Sequence, residues 1–189
     1  MKSKPKPVPL TPETVDPEIV RPAVVDGLLI ARSAASIGVA NRIIVRALRE
    51  HAAFDHDETA DDVRSELRHL ADEQRALAER MVTTRTRALK SRGRSRHQFD
   101  YRPDDNEALA LREAIYTTIA DELALLGDDP DYVDAIVLSA RDRAWNDIGS
   151  AIVNQVRSVV VEDADYADAR DDRLRQLVEV DLEGLRTAR

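Results

Sequence analysis

A strongly basic segment is the clearest candidate for chemistry in this sequence. Between Arg80 and Arg102 the chain carries eight basic residues and one acid, a local net charge of +7, whereas the formal charge of the whole chain is −8. Guanidinium groups bind phosphate bidentately, and aromatic rings among arginines can stack on bases. The segment therefore predicts an anion-binding or partner-binding site. Its candidate residues are Arg85, Arg87, Arg92, Arg94, Arg96, Arg102, Phe99 and Tyr101.

Two other interpretations of the basic segment are open. Residues 162–183 hold nine acids and three arginines, so the two segments could pair within one chain or between two copies. The basic segment could also be a solvated loop without a partner. The isoelectric point, near 5.1, argues against a dedicated DNA-binding domain. Self-pairing is favoured, and binding of nucleic acid or another polyanion is the alternative.

Residues for metal or catalytic chemistry are sparse. Glu66 and His69 have the Glu-x-x-His spacing of di-iron helix bundles, but no other histidine follows a glutamate at that spacing. The chain has no cysteine, which excludes a disulfide, a thiolate zinc site and a cysteine nucleophile. No Gly-rich phosphate loop or Ser-His-Asp arrangement is recognisable. We predict no catalytic, cofactor-binding or metal-binding residue, and a protein that is more a binding protein than an enzyme.

The distribution of helix breakers predicts an all-α protein. Six of the eight prolines precede residue 23, and the 189 residues include only six glycines. Residues 1–16 alternate prolines with lysines and predict a disordered tail. No apolar stretch follows the basic start, so we expect no secretory signal and a cytoplasmic protein.

Apolar periodicity predicts helices at about 17–54, 58–91, 104–127, 130–160 and 164–186. Asp57 is expected to cap the second helix. The short connections at 55–57 and 127–129 favour antiparallel neighbours. The predicted fold is an antiparallel four-helix bundle of long helices (17–161) with an accessory, charged C-terminal helix (162–189).

The first helix is the most apolar and is predicted to be the innermost. One seam repeats at alternating spacings of four and three residues: Ile30, Ala34, Ile37, Asn41, Ile44 and Leu48. A second apolar face consists of Val24, Leu28, Ala31, Ala35, Gly38 and Val45. Asn41 at a core position is expected to fix register or oligomeric state. Because Asp26, Arg32, Arg42 and Arg46 interrupt the apolar run, we expect no membrane contact.

The second, fourth and C-terminal helices each carry a recognisable apolar face. In the second helix the spacing is typical of a coiled coil: Ala60, Val63, Leu67, Leu70, Gln74, Leu77, Met81, Thr84 and Ala88. The fourth helix is predicted to bury Val133, Val137, Leu138, Ala140, Ala144 and Ile148, with Trp145 anchoring the core. The C-terminal helix has one narrow apolar face, suited to docking on the bundle or on a partner.

Several stretches carry a resemblance to a known group of proteins. They are GLLIA at 27–31, NRIIVRAL at 41–48, HLADEQ at 69–74, HQFDYR at 97–102 and ARDRAWNDI at 140–148. The chain resembles small, uncharacterised all-helical proteins of actinobacteria, some of which carry an automatic asparagine synthase label. That label implies a glutaminase cysteine and an ATP-binding loop, or an ATP-grasping domain. The sequence has none of these, so the resemblance implies no catalytic residue here.

The sequence therefore predicts a non-enzymatic helical bundle that acts through protein–protein contacts. Self-association is expected through the 60–88 seam or the C-terminal helix, and another helical protein is the other possible partner. The alternative is a polyanion binder that uses the 80–102 segment. A third hypothesis, suggested by the resemblance alone, is an enzyme.

Overall fold

The computed structural model describes residues 15–91, 103–158 and 163–181. Within these ranges every regular element is helical and no strand occurs, which confirms the all-α class. The predicted tail up to residue 14 and residues 92–102 of the basic segment lie outside the described residues.

The helices follow one another with short connections. The elements are α1 (Pro17–Val45) with a π-helical turn (Arg46–Glu50), α2 (His56–Ser91), α3 (Pro103–Asp128), α4 (Pro130–Arg157) and α5 (Ala164–Gln176) with a second π-helical turn (Leu177–Asp181). Proline opens α1, α3 and α4, since the first turn needs no intrahelical donor from that residue. At 36 residues, α2 is a rod about 54 Å long.

Asp55 determines where α2 begins. Its Oδ1 accepts the backbone N–H of Glu58 at 2.9 Å, the geometry of an N-cap. The predicted cap, Asp57, instead lies inside the first turn with a fully exposed side chain, so that prediction is wrong. Before it, His51 ends the π-helical turn in the left-handed region at φ 53° and donates its N–H to the Arg46 carbonyl.

The chain divides into two compact units, and α1 and α2 contribute residues to both. The first comprises the described parts of Met1–Ser33 and Arg64–Asp129. Its buried apolar residues are Val20, Val24, Ala31, Leu67, Ala71, Ala78, Ala110, Ile119, Ala120 and Leu123. Gly27 lies so close to Ile119 that a Cβ there would collide with Ile119 Cδ1.

The second unit comprises Ala34–Val63 and the described parts of Pro130–Arg189. Its buried apolar residues are Ala35, Val39, Ala40, Ile43, Ala60, Val63, Val133, Ile136, Val137, Ala140, Ala144, Ile148 and Leu174. The hydroxyls of Ser36 and Ser139 are 3.3 Å apart and share a hydrogen bond between α1 and α4.

The apolar seam of α1 that was predicted to face the interior faces solvent instead, so that prediction is wrong. Ile30 is 70% exposed, Ile37 41% and Leu48 59%, while Ala34 and Asn41 are also exposed and Ile44 is half-buried. The second face is buried at Val24, Ala31 and Ala35, but Val45 is exposed. Small side chains allow other backbones to approach closely, so the Ala-rich face packs inward and the isoleucine seam faces solvent.

The buried faces of α2 and α4 agree more closely with the faces predicted from the sequence. On α2, Val63 and Leu67 are fully buried, whereas Thr84 is exposed. On α4 the prediction fails at Leu138, which is 45% exposed, and it omitted Ile136, which is fully buried. Trp145 is half-buried with its indole Nε1 enclosed in the protein, and its role as an anchor of the core stays a prediction.

Candidate interaction surface

The exposed apolar residues of the protein are concentrated on α1 and its terminal turn. Of twelve exposed large apolar residues in the described chain, seven lie there: Ile19, Val25, Leu29, Ile30, Ile37, Val45 and Leu48. Single exposed apolar side chains are ordinary, but several on one face of a helix, such as Ile30, Ile37 and Leu48, make that face a candidate interaction site. We name the residues Ile30, Ala34, Ile37, Asn41, Ile44 and Leu48 the α1 seam.

The α1 seam has the geometry of one half of a coiled coil. Its alternating spacing places Ile30, Ile37 and Ile44 at d positions of a heptad and Ala34, Asn41 and Leu48 at a positions. Residues Ile30 to Leu48 span about 27 Å of helix. Of these positions, Ile30, Ile37 and Leu48 are the exposed large apolar residues.

The residues beside the seam differ in burial. Ala31 and Ala40, at one e and one g position, are 7% and 1% exposed, and Val39 behind the seam is fully buried. Val45 at another e position is 41% exposed, and Ser33 at another g position is also exposed. The helix therefore presents the a and d positions outward together with part of each flank.

Ion pairs engage Arg42 of α1 and Arg46 of the π-helical turn that follows it. Arg46 contacts Asp62 Oδ2 at 2.6 Å and Glu58 Oε1 at 3.0 Å, and Arg42 lies 3.5 Å from Asp62 Oδ1. Asp62 is only 18% exposed, so these pairs are partly shielded from water. They join the end of α1 to the start of α2 and leave the seam itself uncharged.

By length and composition alone, the helical stretch Pro17–Glu50 could cross a membrane, and 33% of its most apolar window is buried inside the protein. Its Arg46 is paired with the acidic start of α2, whose first residues include Asp57, Glu58, Asp61 and Asp62. Charged groups of α2 therefore lie beside the C-terminal end of this helical stretch.

The basic segment is only partly described. Arg85 Nη2 lies 2.9 Å from Glu113 Oε2, with side chains 16% and 13% exposed, so this arginine is engaged between α2 and α3. Arg87 is exposed near Val82 and Thr83. The other candidates, Arg92, Arg94, Arg96, Arg102, Phe99 and Tyr101, lie outside the described residues.

Other candidate chemistry is dispersed. His69 pairs with Glu73 at 3.4 Å on the surface of α2. Among the residues that the structure describes, no group of three metal-ligating side chains occurs. Arg141 lies over the Phe54 ring at 5.8 Å. Residues of α4 and α5, including Ile152, Val156 and Leu174, line an open apolar groove.

No protein-family model matches the chain, and neither a curated protein nor a solved structure is significantly similar to it. The α1 seam is therefore assessed on geometry alone. The sequence contained its heptad spacing, but we assigned the seam to the interior. Asn41 within the seam, and alanines on the opposite face, were the signals that could have reversed that assignment.

Proposed function

We propose that this protein acts through protein–protein contact and that it associates with itself through the α1 seam. The observation that carries the proposal is the exposure of Ile30, Ile37 and Leu48 along one heptad strip. The route differs from the one predicted from sequence, since the α2 seam is covered by the chain itself at Val63 and Leu67.

The exposed apolar residues of the α1 seam would form the centre of an interface between two copies. Ile30, Ile37 and Leu48 are exposed by 41–70% and offer roughly 80 Å² each, or roughly 240 Å² per copy. Two copies together would bury roughly 500 Å² of this apolar surface, so neighbouring small and polar residues must supply the rest of the roughly 1,000 Å² of a specific interface.

An antiparallel four-helix bundle is part of this proposal, as is a cytoplasmic location. The connection from α1 to α2 covers only residues 51–55, and the pairs from Arg46 to α2 hold the two helices together there. Binding of a polyanion through Arg87 and the rest of the basic segment stays a prediction from sequence. We propose no catalytic activity.

A pair of charge substitutions tests the surface. Ile30→Asp places a carboxylate in the proposed interface, and we expect at least about tenfold weaker association, because a buried unpaired charge costs several kcal/mol. Leu125→Asp is the matched control, since Leu125 on α3 is 66% exposed, close to the 70% of Ile30. The readout is molar mass by light scattering during gel filtration.

The control variant should associate like the wild type, and both variants should keep the wild-type helical circular dichroism, because surface substitutions change stability by only about 0.5 kcal/mol. Association that survives Ile30→Asp, or that is lost equally in Leu125→Asp, would contradict the proposal.

A further inference from the structure

We draw no further inference here: the strongest candidate, the open apolar groove between α4 and α5 that Ile152, Val156 and Leu177 line, is an apolar surface for which nothing in the described part of the chain shows what covers it.

Discussion

At the scale of single residues, the Arg85–Glu113 pair shows how an apparent binding residue can have a structural role. Both side chains are mostly buried and 2.9 Å apart. We expect Arg85→Ala to destabilise the fold by about 2–3 kcal/mol, because it removes the guanidinium that lies 2.9 Å from a mostly buried carboxylate. Urea unfolding at one fixed protein concentration is the measurement.

The double variant Arg85→Met/Glu113→Leu supplies the control for this prediction. Replacing both charged groups by apolar ones removes the mostly buried carboxylate together with its guanidinium partner, and we expect stability within about 1 kcal/mol of the wild type. A loss in the double variant equal to the sum of the two single losses would show that the groups do not interact.

Gly27 is a second residue whose environment makes a sharp prediction. We expect Gly27→Ala to destabilise by about 1 kcal/mol, because overpacking against Ile119 outweighs the gain in helix propensity. Gly127→Ala is the matched control, since its Cβ would lie 3.7 Å from Leu67 Cβ, an ordinary contact. Thermal unfolding should show that the control is neutral or slightly stabilised.

Truncation of Ile119 tests whether its contact with a Cβ at position 27 causes the predicted loss of stability. Ile119→Val removes the Cδ1 atom that a Cβ at Gly27 would meet. Added to that background, Gly27→Ala should cost nothing further. If Gly27→Ala lowers the free energy of unfolding equally in the wild type and in the Ile119→Val background, the loss arises elsewhere, for example in the backbone of α1.

At the scale of elements, the start of α2 distinguishes two neighbouring aspartates. We expect Asp55→Ala to cost about 1 kcal/mol, because it removes the acceptor for the Glu58 N–H. Asp57→Ala should change the free energy of unfolding by less than about 0.5 kcal/mol, since its side chain is fully exposed. Equal losses in urea unfolding would contradict the assignment of Asp55 as the cap.

The helices themselves could be predicted from the sequence more reliably than the faces they bury. The breaks around Asp55 and Asp129 and the periodicity of Val63 and Leu67 placed α2 and α4 to within a few residues. Periodicity defined two apolar faces on α1 but not which one packs inward. That depends on neighbours distant in sequence, such as Ile119 against Gly27, which no local pattern encodes.

The same limit applies to the candidate site. The sequence contained the heptad of Ile30, Ile37 and Ile44, but its exposure follows from the burial of Ala31 and Ala40 in the folded chain. The engagement of Arg85 with Glu113 likewise joins residues 28 positions apart. Charge counting along the chain cannot separate a free arginine from a paired one.

At the scale of the whole molecule, the proposed self-association would place the α1 seams of two copies against each other. In the described residues the heptad strip is exposed at Ile30, Ile37 and Leu48, and Arg42 and Arg46 pair with Asp62. The seam is apolar, so its association should not weaken as salt rises.

Sedimentation velocity of the wild type, from low to high micromolar concentration and at two salt concentrations, tests this claim most directly. We expect the mass to rise from 21.1 kDa to twice that value, with equal or tighter association at the higher salt. A protein that stays at 21.1 kDa throughout, or one whose association dissolves in salt, would contradict the account.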